Sequence, residues 1–384
     1  MAVNPEQIAE MTQADARLAM RTCIQKVATG PEYSKDLSVE EAQTAMQLIL
    51  DGRADEVQAG VFLIALRMKR ETDDENKGVL QAIIDSSEQI TAPVDELVDV
   101  ADPYDGYTRG LPASPFLAPV LAASGSPAVS HGLESVGPKY GVTHRKVLRA
   151  AGINVDLTPA ECAARIGDAN IGWGYIDQRA WCPALHDLVS LRQRIVNRPV
   201  LTTVEVLVGP VRGQKKTHLL TGYVHKAYPP VYASLARHAG FDSALIVRGV
   251  EGGVIPSLQQ PGKVFYYRDK GEEAFFEIEP SSADIKQSTR AVPIPADAPA
   301  APEKGDEIAA AVDSDALAEL AAERGIAALK GKHGATYDSL VYSGAITLHL
   351  LGRAESIQAG AAQIRTILDN GGALERFENA RNQY

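Results

Sequence analysis

A change of hydrophobic period near residue 97 limits this chain more than any other feature. Before it, every recognisable signal is helical. Ser38 to Glu41 and Thr72 to Glu75 match capping boxes, in which a hydroxyl accepts the N3 amide and the glutamate returns to the cap amide. From Asp55 to Arg70, Val57, Val61, Ile64, Ala65 and Met68 recur on one apolar stripe at helical spacing. No strand candidate precedes Leu97, so residues 1–95 read as an all-helical N-terminal domain. Beyond it, short apolar runs (Leu97–Val100, Ala128–Ser130, Ile171–Tyr175, Leu219–Val224, Ala244–Arg248, Val264–Tyr267, Phe275–Ile278) alternate with helical patterns. Strands separated by helices specify an α/β fold, so residues 96–384 read as a larger α/β domain. Its central sheet is expected to be mainly parallel and flanked by helices.

Within that domain, residues 288–325 are Ala/Pro-rich and then acidic, with Glu303, Asp306, Glu307, Asp313, Asp315, Glu319 and Glu323. This composition reads as an exposed insertion carrying a short acidic helix. Two strong helical patterns, Thr336–Leu351 and Ala354–Leu368, and a last short helix after Asn370-Gly371-Gly372 close the chain.

A length of 384 residues is enough for two cores. The three cysteines, Cys23, Cys162 and Cys182, fit neither a disulfide framework nor a zinc spacing. Cys182, before Pro183, reads as a buried thiol at a helix start. No secretory leader pattern occurs near Met1, and the longest apolar stretch is broken by Pro119, Gly125 and Pro127. A cytoplasmic protein with no membrane association is expected. The formal net charge of −11 argues against nucleic acid as a partner while allowing a local basic cleft.

Two stretches oppose the overall acidity. Lys139, Arg145, Lys146 and Arg149 stand close together without an acid. Arg192, Arg194, Arg198, Arg212, Lys215, Lys216 and Lys226 are accompanied only by Glu205. Loops after parallel strands are where open α/β sheets bind ligands, so basic loops there would gather a phosphate or carboxylate. The stretch Asp102-Pro103-Tyr104-Asp105-Gly106-Tyr107-Thr108-Arg109-Gly110 follows the first strand and offers backbone amides to an anion.

The order of segments carries a resemblance. The helical stretch LSVEEAQTAMQLILDGRADEVQAGVFLIALRMKRET (Leu37 to Thr72), SHGLE (Ser130 to Glu134), CPALHDLVSLRQRIVNRP (Cys182 to Pro199), LVGPV (Leu207 to Val211), ALIVRGVEG (Ala244 to Gly252) and SGAITLHLLGRAESIQAG occur in sequence. Together they resemble anthranilate phosphoribosyltransferase and its glycosyltransferase family 3 relatives, which have a nucleoside-phosphorylase-type fold. The resemblance implies a homodimer joined through the helical domain. It also implies binding of a phosphorylated sugar, phosphoribosyl pyrophosphate or a similar anion, between the two domains, with Mg²⁺.

The donor-site motifs of that family are altered. Its GTGGD loop stands here as Asp102-Pro103-Tyr104-Asp105-Gly106, and NIST as Pro112-Ala113-Ser114-Pro115. KHGNR stands as Ser130-His131-Gly132-Leu133-Glu134, and the acidic metal pair of DGLDE as Val254 and Ile255. Glu251 is the one carboxylate left in that loop as a metal ligand. Arg192 falls where the family sets an arginine against the anthranilate carboxylate. Arg198 and Gly209-Pro210 also fall in register. The substrate- or phosphate-binding candidates are therefore Asp105, Gly106, Ser114, His131, Gly132, Lys139, Tyr140, Arg145, Arg192, His225 and Lys226. The function that the resemblance implies is that of an anthranilate phosphoribosyltransferase-like glycosyltransferase that binds a phosphorylated sugar in the interdomain cleft, with an altered donor and metal site that argues against the anthranilate reaction itself and an unassigned acceptor. The alternative is a non-catalytic ligand- or nucleic-acid-binding relative of the same fold.

Overall fold

The computed structural model describes residues 5–30, 32–300 and 313–383. The helical domain is built on four helices, Gln13–Val27, Val39–Leu50, Glu56–Lys69 and Asp73–Asp85. Their starts are fixed by side chains. Ser38 with Glu41, and Thr72 with Glu75, form the two expected reciprocal capping boxes. Asp55 accepts from the amides of Val57 and Gln58 at 3.0 Å. Each such cap contributes about 1 kcal/mol.

The apolar stripe of Glu56–Lys69 faces the opposite way from a core stripe. Ala59, Phe62, Leu63 and Leu66 are buried, whereas Val57 is 76% and Met68 77% exposed. The helix is apolar on two faces, and the bulkier one packs inward. Periodicity finds both faces but does not rank them.

Nine strands occur among the described residues: β1 Ile90–Thr91, β2 Glu96–Ala101, β3 Ala128–Gly132, β4 Trp173–Asp177, β5 Val211–Arg212, β6 Lys216–Gly222, β7 Ser243–Val247, β8 Gly262–Tyr267 and β9 Ala274–Ile278. Seven form one sheet in the order β4-β3-β2-β6-β7-β8-β9. Its first five strands are parallel, and β8 and β9 complete it antiparallel. The other two, β1 and β5, pair in parallel through Ile90 and Val211. They escaped the sequence reading because two residues are too short to show an alternation. β1 also places a strand ahead of Leu97.

Helices cover both faces of the sheet, as a parallel sheet requires. The middle of the expected insertion, with Glu303, Asp306 and Glu307, lies outside the described residues. Its later part is not an exposed appendage. Helix Ser314–Leu329 is capped by Asp313 and buries Leu317, Ala318, Ala321, Ala322 and Ala328. Gly325 sits against the Phe116 ring, where a Cβ would come within 1.9 Å. Asp315, Glu319 and Glu323 lie on the exposed face of the same helix, and this face made the segment read as acidic and solvated. No helix among the described residues is long and apolar enough to cross a membrane.

Candidate functional site

Strands β2, β3, β6 and β7 run in parallel, so the loops at their carboxyl ends emerge on one edge of the sheet. There they meet Arg67 of helix Glu56–Lys69, the segment Arg198–Val206 and residues Thr289–Pro293. Together these enclose an open cleft of about 880 Å³, large enough for a cofactor-sized ligand. Of the sequence candidates, Asp105, Lys139, His225 and Glu251 line it.

The cleft's acids are already matched. Asp105 Oδ2 accepts from Arg198 Nε at 3.1 Å and Nη2 at 2.7 Å. Glu251 accepts from the backbone amides of Thr108 at 3.1 Å and Arg109 at 2.7 Å, and pairs with Lys139 at 2.9 Å. The Glu251 backbone takes a left-handed conformation, φ 54°, to present its carboxylate this way. Gly106, at φ 73°, makes the turn beside Asp105. A Cβ there would stand 2.6 Å from the Val142 carbonyl oxygen, so the β2 loop can approach Gly141-Val142 only with glycine at this point.

Three further arginines line the cleft: Arg109 in the β2 loop, Arg248 immediately after β7, and Arg290. All three are exposed, and no carboxylate among the described residues pairs with any of their guanidinium groups. They were missed because they stand outside the two basic stretches. Arg248 had a usable signal, its place directly after a buried parallel strand. Arg290 had none.

The other candidates lie outside the cleft lining. Ser114 is buried and donates to Asp102 Oδ2 at 2.7 Å. Asp102 also accepts from Tyr107 Oη at 2.8 Å and the Val254 amide at 2.9 Å, and it pairs with His144 Nε2 at 2.9 Å. Burial alone would raise this carboxyl's pKa. The His144 ring and the hydrogen bonds from His144, Ser114 and Tyr107 outweigh burial and hold it below the usual range.

His131 is buried between Asp99, at 2.7 Å from Nε2, and the Tyr104 hydroxyl at Nδ1, and Tyr104 is the member of this hydrogen-bonded series that reaches the cleft. Gly132 ends β3 beneath Tyr175. Tyr140 is half-buried in the loop after β3, and Lys226 is exposed next to His225.

Arg145 is turned inward, against Glu134, Asp156 and Asp177 and the Val155 carbonyl. Burial opposes its charge, and its hydrogen bond to Asp156 and the charge of Asp177 more than restore it. Arg192 is fully buried in a two-pronged pair with Glu205, both contacts 2.7 Å, and Gln178 donates to the same carboxylate. Cys182 is buried, and burial pushes its thiol pKa up, away from nucleophile chemistry.

Among the described residues no three His, Cys, Asp or Glu side chains gather to hold a metal. Val254 is fully buried and Ile255 nearly so, and Glu251 is consumed by two amides and Lys139. These residues do not fit a magnesium site, which needs free carboxylate oxygens.

Residues 21–87 match a glycosyl transferase family profile for the helical bundle domain, and residues 110–374 match the profile for its a/b domain. The chain belongs to this glycosyl transferase family. It is 27% identical over 361 residues to an anthranilate phosphoribosyltransferase of Nitrobacter hamburgensis, covering 94% of this chain and 97% of that one. Its fold is that of two solved members. One is an anthranilate phosphoribosyltransferase from Thermus thermophilus, with TM-score 0.69, 17% identity and coverage of 94% and 98%. The other is from Saccharomyces cerevisiae in complex with PRPP and Mg, with TM-score 0.71, 16% identity and coverage of 96% and 99%.

Proposed function

We propose that this family member binds a phosphorylated sugar, phosphoribosyl pyrophosphate or a similar anion, in the cleft at the carboxyl ends of β2 and β7. The observation that carries this reading is the set of three arginines, Arg109, Arg248 and Arg290, which have no carboxylate partner among the described residues and line a cleft whose acids are already paired. Guanidinium groups match phosphate oxygens in geometry and stay charged at any working pH. Departure of a pyrophosphate from a sugar builds negative charge on the leaving group, and the same groups would stabilise that charge. Tyr104, braced by His131 and Asp99, offers a polar contact on the cleft wall.

Anthranilate is not the acceptor in this reading. The Arg192 guanidinium is filled by Glu205 and has no open face for a ligand carboxylate. The test is incubation with phosphoribosyl pyrophosphate, Mg²⁺ and anthranilate, following anthranilate fluorescence. Phosphoribosyl pyrophosphate is expected to raise the melting temperature while the fluorescence stays constant. Consumption of anthranilate at ordinary enzymatic rates overturns the altered-site part. Absence of any thermal shift overturns the binding part.

The protein pairs as a homodimer through its helical domain. Leu18, Val57 and Met68 are exposed apolar side chains on two helices that pack against each other, and a second copy would cover them. Sedimentation should give twice the chain mass, and Val57→Asp with Met68→Asp should give the monomer.

A further inference from the structure

In a metal-assisted phosphate site, carboxylates hold the cation and the cation holds the phosphate oxygens. Here the loop after β7 has lost both functions together. Val254 and Ile255 turn into the core, and the Val254 amide is spent on Asp102. Glu251 faces the cleft edge, but it staples the β2 loop through the Thr108 and Arg109 amides and neutralises Lys139. Asp105 neutralises Arg198 in the same one-to-one way. No carboxylate on the cleft wall, among the described residues, is left to recruit a divalent cation.

The same two loops supply positive charge directly. Arg109 adjoins the amide that Glu251 occupies, and Arg248 is the first residue after β7, at the start of the loop that would otherwise carry the metal ligands. Arg290 faces the cleft from the segment Thr289–Pro293, which is tied back to the β2 loop by the bridge between Leu111 and Val292. Two or three phosphoryl charges would meet as many guanidinium groups.

Resting on the proposed binding of a phosphorylated ligand, we infer that the cleft takes a diphosphate group without a divalent cation, with Arg109, Arg248 and Arg290 standing in place of the metal. A guanidinium can donate hydrogen bonds to two phosphate oxygens at once, where a magnesium ion held by carboxylates would coordinate those oxygens directly. The substrate class is a sugar phosphate bearing a diphosphate. The same site would hold free pyrophosphate as product.

The test is calorimetric titration of the intact protein with inorganic pyrophosphate, once in EDTA and once in excess Mg²⁺, repeated for Arg248→Gln and Arg290→Gln and with phosphoribosyl pyrophosphate as a second ligand. The expected result is binding in EDTA with a Kd no more than about threefold weaker than in Mg²⁺, and a loss of tenfold or more in each variant. All three arginines are exposed, so each variant should keep its melting temperature. Binding that requires Mg²⁺ overturns this inference and leaves the proposed function standing. Binding in EDTA that is indifferent to both substitutions overturns the assignment to these arginines. Failure of both ligands to bind under either condition removes the proposed function and this inference together.

Discussion

Two groups of arginines in the same α/β domain have had opposite fates. Arg145 and Arg192 lie inward, each closed off by carboxylates: Arg192 by Glu205 in full burial, Arg145 by Glu134, Asp156 and Asp177. Arg109, Arg248 and Arg290 stand exposed around the cleft with no acid paired to them among the described residues. A buried cation is tolerated only when the fold also delivers its counter-charge, so a deeply placed arginine is already spent before a ligand arrives. An exposed one is solvated at little cost and stays available. In this fold the positive charge that a ligand can use is therefore found at the rim.

The comparison fails first, and by the largest margin, if Arg192 is not structural. Arg192→Ala leaves the Glu205 carboxylate buried and unpaired, and should cost about 3–5 kcal/mol in urea unfolding. Replacing Arg192 and Glu205 together by leucine should recover most of that. A stable Arg192→Ala protein that has lost ligand binding would move this residue into the rim group.

Asp102→Asn comes next. It removes a charged acceptor from Tyr107, Ser114 and His144, an expected loss of about 2–3 kcal/mol at neutral pH. The pH dependence gives an independent check. The Asp102 pKa is lowered in the fold from 3.8, so the unfolded chain takes up its proton first as pH falls. Its stabilising contribution is complete above about pH 4 and is lost on acidification through the folded value. Asp102→Asn should flatten that part of the acid-unfolding curve. An unchanged curve would mean that the carboxylate is not the centre of the network.

Smaller effects sharpen the picture. Burial is the largest influence on His218 and lowers its pKa from 6.5, against the pull of Glu96. The unfolded chain then binds a proton that the fold refuses, so stability should decline as pH falls below 6.5. His218→Asn should reduce the slope of the urea midpoint against pH between about 5 and 7. Smallest of all, Arg248→Gln and Arg290→Gln should each change unfolding stability by no more than about 0.5 kcal/mol. A larger loss would show that the rim arginines are tied into the fold after all.

Much of the architecture was readable from local pattern. The capping boxes at Ser38 and Thr72, and the runs beginning near Leu97, Ala128 and Ala244, encode their elements in neighbouring residues, and the structure keeps them. What failed depended on contacts between distant segments. Glu205 was read as the lone acid in a basic stretch, when its role is to fill Arg192. Helix Ser314–Leu329 carries a solvated acidic edge and an alanine face, and only its packing against distant helices such as His144–Ala150 and Ala335–Leu350 decides that the alanines are core. Charge along the chain found Lys139, whereas Arg109, Arg248 and Arg290 are isolated in sequence and gather only once β2 and β7 are placed in one sheet.

The Asp102 cluster also bears on any attempt to build a glycine-rich loop after β2 in this protein. Substituting glycine at this single position would leave a serine hydroxyl, a tyrosine hydroxyl, an imidazole and a main-chain amide facing one another with their common acceptor gone. Replacing Asp102 thus calls for matching changes at Tyr107, Ser114 and His144, and the Val254 amide, which no side-chain exchange removes, would still need a new acceptor.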